Sequence, residues 1–138
     1  GINDYAERIG HYMPFEIKVI PELRNTKNLS EQQQKTQEGE LLLKQLQPSD
    51  TVVLLDERGT EHRSVEFADW LQKKQNTARR LVFIIGGPYG FSEAIYKRAN
   101  EMVSLSRMTF SHQMVRLVFT EQIYRACTII KGEPYHHE

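Results

Sequence analysis

The chain has almost no cysteine. One residue, Cys127, in 138 excludes a disulfide framework and a cysteine metal site within one chain. There is also no surplus of either charge, since Lys plus Arg and Asp plus Glu are 18 each. A protein that coats nucleic acid by electrostatics alone is usually basic, so that class is disfavoured. No apolar run approaches the roughly 18 residues of a membrane span, and no stretch has the basic, apolar and small-residue order of a secretory signal. Linkers, internal repeats and low-complexity segments are missing too. What these absences leave is one domain over residues 1–138 with a single core, cytoplasmic by default.

Hydrophobic periodicity then orders the chain. Ile2, Tyr5, Ala6 and Ile9 make one helical face. "FEIKVI", residues 15–20, alternates apolar and charged and predicts a half-exposed strand. Ser30 with Gln33 is a capping box that opens a helix to about residue 47. "TVVLLD", residues 51–56, predicts a buried strand, after which Arg58-Gly59 turns. Ser64 is expected to cap the next helix, and residues 81–85 form another strand. Ser92 caps a short helix, residues 103–106 a last strand, and Ser111 a long helix to about residue 131. That last helix carries Val115, Phe119, Ile123, Ala126 and Ile130 on one stripe and Leu117, Tyr124 and Cys127 on a second, more than one sheet face needs. Strands apolar on both faces, alternating with helices, predict an α/β/α sandwich around a mostly parallel sheet.

Two further absences concern ligands. "LVFIIGGPYGF", residues 81–91, is a buried strand ending on glycines. A dinucleotide fingerprint needs glycines at relative positions 1, 3 and 6. Here Gly86, Gly87 and Gly90 fall at 1, 2 and 5, with Pro88 in the second glycine's place. No Gly-Lys-Ser/Thr follows, so the phosphate-loop reading fails as well. The stretch stands either as a ligand loop at a strand's carboxyl end or as a tight strand-to-helix turn. "SLSRMTFSHQMVR", residues 104–116, places small polar groups, backbone amides and an apolar pair before a helix. That combination suits a flat aromatic ligand with polar edges, or else a loop that plugs the core. His112 and Arg116 share one face near the helix start and read as anion-seeking or as surface decoration. The pairs Lys73-Lys74, Arg79-Arg80 and Lys97-Arg98 read as solvated helix ends or basic spots. The tail "GEPYHHE", residues 132–138, is rich in groups that titrate or stack. Adjacent His136 and His137 rarely bind one ion without further ligands, so no metal is expected.

In order along the chain, "FIIGGPYGF", "SLSRMTFSHQMVR", "EQIYRA" and "GEPYHHE", with "GINDYAERIGHYMPFEI" at the start, resemble the bacterial 23S rRNA pseudouridine N3-methyltransferase family, the smallest type of SPOUT methyltransferase. The resemblance covers essentially the whole chain. It implies a C-terminal trefoil knot, S-adenosyl-L-methionine as cofactor, a homodimer whose sites borrow groups from the partner, and 23S rRNA within the ribosome as substrate, with no metal and no membrane. Cofactor positions carry over onto Leu55, onto Gly86 and Gly87, and onto Leu105, Ser106, Arg107, Met108, Thr109 and Phe110. Members normally begin with a short strand that is expected to be absent here, and Ser111 stands where many have proline. The reaction needs an imide nitrogen held in line with an activated methyl group and a base or anion-stabilising group for its proton. Tyr135, His136, His112 and Arg116 are the candidates. The rival is a non-catalytic knotted RNA-binding module, which would keep the basic pairs but lose the cofactor loop.

Overall fold

The structure is a computed structural model that describes residues 1–87 and 89–137. Pro88 of the glycine loop and Glu138 of the tail lie outside the described residues. The elements run α1 (Ile2–Gly10), α2 (Glu31–Leu43), β1 (Thr51–Glu61), α3 (Ser64–Thr77), β2 (Leu81–Ile85), α4 (Glu93–Arg98), β3 (Glu101–Ser104) and α5 (His112–Lys131). A single 3-10 turn, Thr26–Asn28, precedes α2. The sheet has the order β2-β1-β3, and both pairings are parallel.

Both faces of the sheet are covered, as the apolar strands require. On one side Ile9, Phe67, Ala68, Leu71, Phe119, Ile123, Ala126 and Cys127 form a core contributed by α1, α3 and α5. Phe83 and Phe119 meet edge-on there, with ring centroids 4.8 Å apart. On the other side Val52, Leu54, Ile84, Phe91 and Ile95 pack beneath α2 and α4. Helix caps agree with local sequence at three places. Gln33 N–H donates to Ser30 Oγ at 3.1 Å, Ile95 N–H to Ser92 Oγ at 3.4 Å, and Met114 N–H to Ser111 Oγ at 3.3 Å. At α3 the cap differs from expectation. Arg63 occupies the N-cap position, and its N–H donates to Glu66 Oε1 at 2.8 Å. Ser64 is already helical and uses its hydroxyl on Gln122 Oε1 at 2.9 Å, tying α3 to α5.

Other expectations are corrected as well. Residues 15–20 belong to no strand. Phe15 packs against the core while Ile17 and Val19 stay exposed, so the alternation is present but has no ladder to join. The last strand begins at Glu101, two residues early, because its register is set by Val53 and Leu54 of β1. Cys127 is buried inside the chain beside Ile9 and is not part of an outward stripe.

Arg58-Gly59 does not end β1. Val103 of β3 is the ladder partner of both Leu55 and Thr60. The backbone therefore leaves β3 after Leu55 and returns to the same residue at Thr60. Within that excursion Gly59 lies so close to β3 that a Cβ would stand 2.6 Å from the Met102 carbonyl carbon and the Val103 nitrogen.

At the opposite, amino end of the sheet, Asp50 is buried and receives the Arg80 guanidinium through Nε at 2.8 Å and Nη2 at 2.5 Å, and the Gln47 N–H at 2.7 Å. The Arg80 hydrogen bond, aided by Gln47 and opposed by burial, holds the Asp50 carboxyl below its ordinary range. A carboxyl depressed on folding stabilises the native state above its unfolded value, about 4. That stabilisation is lost as pH falls through the native value. The expected result is that Asp50→Asn lowers the denaturation midpoint at pH 7 and narrows the difference between pH 7 and pH 3, read by urea titration at both.

Candidate active site

All three strands run the same way, so their carboxyl ends share one edge, where open α/β sheets bind ligands. Two strand ends and one break in a ladder feed that edge: Ile85 into Gly86, Ser104 into Leu105, and Leu55 into Asp56, where β1 leaves its regular register with β3. Together they wall a cleft of about 600 Å³, within the range of small-molecule sites. Leu55, Asp56, Glu57 and Arg58 supply one wall and Ile85, Gly86, Gly87, Tyr89, Gly90 and Phe91 a second. Leu105, Ser106, Met108, Thr109 and Phe110 supply a third, and His112 and Val115 of α5 close it. Tyr96 of α4 also reaches the cleft. Every sequence-derived cofactor position except Arg107 therefore meets in one place. Arg107 is exposed and pairs with Glu61 at 3.1 Å.

Small residues shape the walls. Gly90, at φ +80, returns its N–H to the Gly87 carbonyl at 3.1 Å. A Cβ on Gly86 would press on the Phe91 ring at 2.9 Å, whereas one on Gly87 would meet the Glu38 carboxylate at 2.7 Å. Gly87 thus offers the cleft its backbone while the space behind it belongs to Glu38. In the third wall Ser104 Oγ donates to the Ser106 carbonyl at 3.1 Å, and Ser106 Oγ accepts from Met108 N–H at 2.9 Å. These short bonds curl residues 104–108 without a helix. Tyr89, Met108 and Phe110 are exposed apolar side chains at the rim.

A polar cluster on the first wall has no local pattern in the sequence to announce it. Tyr96 OH donates to Asp56 Oδ2 at 2.5 Å. Arg58 donates its backbone N–H at 2.9 Å and its Nε at 3.3 Å to Asp56 Oδ1, and its guanidinium stands 4.8 Å over the Tyr96 ring. Burial works to raise the Asp56 pKa, but the hydrogen bonds from Tyr96 and Arg58 outweigh it and hold the carboxyl below its ordinary value. Burial and Asp56 together push the Tyr96 phenol up. Asp56 is therefore an ionised carboxylate facing a small-molecule cleft.

The four candidate chemical groups are not brought together within one chain. His112 lines the cleft. Arg116, one turn later, is exposed and outside the lining. Tyr135 and His136 form a separate cluster against α5. Tyr135 OH donates to Glu121 Oε1 at 3.1 Å, and Arg125 stands 4.9 Å over the Tyr135 ring. Arg125 is itself paired with Glu121 at 2.7 Å. Burial, then hydrogen bonds with Tyr5 and with the Glu121 carboxylate, push the Tyr135 phenol up to about 12. Arg125 Nη1 lies 3.0 Å from His136 Nδ1. A guanidinium can only donate, so Nδ1 accepts and the ring N–H sits on Nε2. The tail is directed there by Gly132, at φ 69, and by Glu133, whose N–H bonds to the Thr128 carbonyl and whose carboxylate accepts Tyr12 OH at 2.6 Å. Thirteen residues of helix separate Arg125 from His112, about 20 Å along the axis.

Most of the basic pairs are committed locally. Lys73 pairs with Asp69, Lys74 with Glu101, Arg80 with Asp50 and Lys97 with Glu93, and Arg98 donates to the Gln47 and Asp50 carbonyls.

Residues 1–136 match the family model described as "Predicted SPOUT methyltransferase". The chain is 64% identical over 138 residues to a protein of Parabacteroides distasonis named ribosomal RNA large subunit methyltransferase H, covering 99% of this chain and 88% of that protein. A protein of the same name from Bacteroides thetaiotaomicron matches with the same identity and coverage. Another from Porphyromonas gingivalis is 58% identical over 136 residues, covering 98% of this chain and 87% of its own.

Proposed function

This chain belongs to the SPOUT methyltransferase family, and from that premise we propose that it methylates N3 of a pseudouridine in 23S ribosomal RNA, in the cytoplasm and on the ribosome, as a homodimer using S-adenosyl-L-methionine. The observation that carries this reading is the cleft at the strand ends. Its lining includes every cofactor position that the family resemblance designates except Arg107, and its chemistry fits the cofactor. Apolar side chains and glycine backbone suit an adenine ring, and the polar wall suits a charged tail. Membership in the family also implies the knot, and the return of β1 to Val103 is in keeping with a strap around β3.

When bound, the cofactor supplies a methyl group already activated on a sulfonium. The protein's part is then positioning and proton management. Leu55, Gly86, Gly87, Leu105, Ser106, Met108, Thr109 and Phe110 hold the donor. Arg116, exposed beside the cleft's α5 wall, takes an RNA phosphate. Tyr135 orients the base. His136 holds the developing imide anion. His112 on the cleft wall is the candidate proton acceptor. Because Tyr135 and His136 sit away from the cleft of their own chain, they are assigned to the partner's cleft across a dimer formed by α1 and α5. Half-exposed Tyr5, Tyr12 and Tyr124 occupy that face, with Tyr5 and Tyr124 centroids 5.9 Å apart.

The test is methyl transfer from labelled cofactor to ribosomes isolated from cells lacking this modification. Label is expected at N3 of one pseudouridine of 23S rRNA, and its absence, or its appearance at another atom, overturns the reading.

A further inference from the structure

Charge in the cleft is segregated. Of its lining residues, the acidic and the Lys or Arg side chains are Asp56, Glu57 and Arg58, three consecutive positions on one wall. The facing walls carry glycine, serine, threonine and apolar groups. Asp56 is nearly enclosed, with 10% of its side chain exposed, and its two oxygens are fixed by Tyr96 and Arg58. Arg58 is 64% exposed and gives Asp56 its Nε, leaving its outer guanidinium edge able to turn toward a ligand. A carboxylate accepts about four hydrogen bonds, and Asp56 has three here, one from Tyr96 and two from Arg58. The wall therefore presents one anionic acceptor and one cationic fork side by side. That is the complement of an α-amino-acid end group, an ammonium and a carboxylate on a single carbon.

We propose that Asp56 and Arg58 recognise the amino-acid end of the cofactor, Asp56 receiving its ammonium and Arg58 its carboxylate, with Tyr96 holding Asp56 in place. This rests on the cofactor reading above. It fixes the ligand's direction: the amino-acid end lies on the wall formed by residues 56–58 of β1, and the nucleoside end lies between the glycine loop and residues 105–110. Net charge-assisted hydrogen bonds of about 1.5–3 kcal/mol correspond to tenfold or more in affinity.

The experiment is calorimetric titration of wild type, Asp56→Asn and Arg58→Gln with three probes. S-adenosylmethionine and S-adenosylhomocysteine carry the amino-acid group, and 5′-methylthioadenosine lacks it but keeps adenine and ribose. Both variants are expected to bind the first two probes about tenfold or more weakly and methylthioadenosine within about twofold of wild type. Retained methylthioadenosine binding also reports that the cleft is folded. Equal weakening of all three probes overturns the proposal and moves Asp56 to the ribose or to support of the loop. Unchanged binding of the amino-acid probes overturns it outright. Wild type that binds none of the three removes the cofactor reading itself, and this assignment with it.

Discussion

Gly59→Ala is expected to abolish the native fold or reduce its stability by about 3 kcal/mol or more. The reason is contact geometry and not backbone torsion, since Gly59 is not among the glycines at positive φ. Its missing Cβ would stand 2.6–2.7 Å from three backbone atoms of Met102 and Val103. Backbone held in a ladder cannot step aside as a side chain can, and Val103 is fixed by ladder partners at Leu55 and Thr60. Gly87→Ala is the internal comparison. There the Cβ meets the end of the flexible Glu38 side chain, which can swing away, so the variant should fold with a midpoint near wild type. Circular dichroism and urea titration of both variants check this. A Gly59→Ala protein as stable as wild type would show that β1 does not press on β3 as described.

Deleting residues 134–138 is expected to cut methyl transfer by orders of magnitude while leaving binding of S-adenosylmethionine nearly intact. Among the described residues the cleft lining contains none from the tail, so cofactor affinity has no reason to fall. The tail is nevertheless built into the structure, through Tyr135 on Glu121 and His136 on Arg125. His136→Ala should reproduce part of the loss. Removal of a single positioned hydrogen-bond donor from a developing anion costs about a hundredfold or more. Mixing the tail-deleted protein with a variant whose cleft is blocked should restore activity in mixed dimers, because one cleft then meets one intact tail. Full activity in the truncated protein would make the tail a mere terminus and place the chemistry at His112. Activity that does not return on mixing would confine tail and cleft to the same subunit.

Most of what depends on a few neighbouring residues was legible in the sequence. Ser30, Ser92 and Ser111 cap helices because a hydroxyl reaches an N–H three residues on, a local relation. The parallel sheet followed from residues 51–55 and 81–85 being apolar on both faces. At Arg63 the cap is also local but uses the Glu66 carboxylate on a backbone N–H, and Ser64 masked it. Residues 15–20 show the converse case: their alternation is real, but a strand exists only where another strand offers a ladder. Asp56 and Tyr96 are 40 positions apart, and no pattern in either neighbourhood announces their bond. The glycine loop could be separated from phosphate sites by spacing alone. Its ligand came from the family resemblance, because loop backbone that any small residues can supply leaves no distinctive pattern.

The sheet topology has a consequence for how the chain reaches its native state. In β1–β2, Thr51 pairs with Leu81, 30 positions away. In β1–β3, Val53 pairs with Glu101, 48 positions away. Neither ladder can be nucleated by a hairpin, so each requires closure of a long loop before any pairing energy returns. Helices α2, α3 and α5, whose bonds are local, are expected to form before either ladder closes, with their apolar faces uncovered. Refolding from urea should therefore be slow for a chain of this size and should lose yield as protein concentration rises, since unpaired parallel strands associate between molecules as readily as within one.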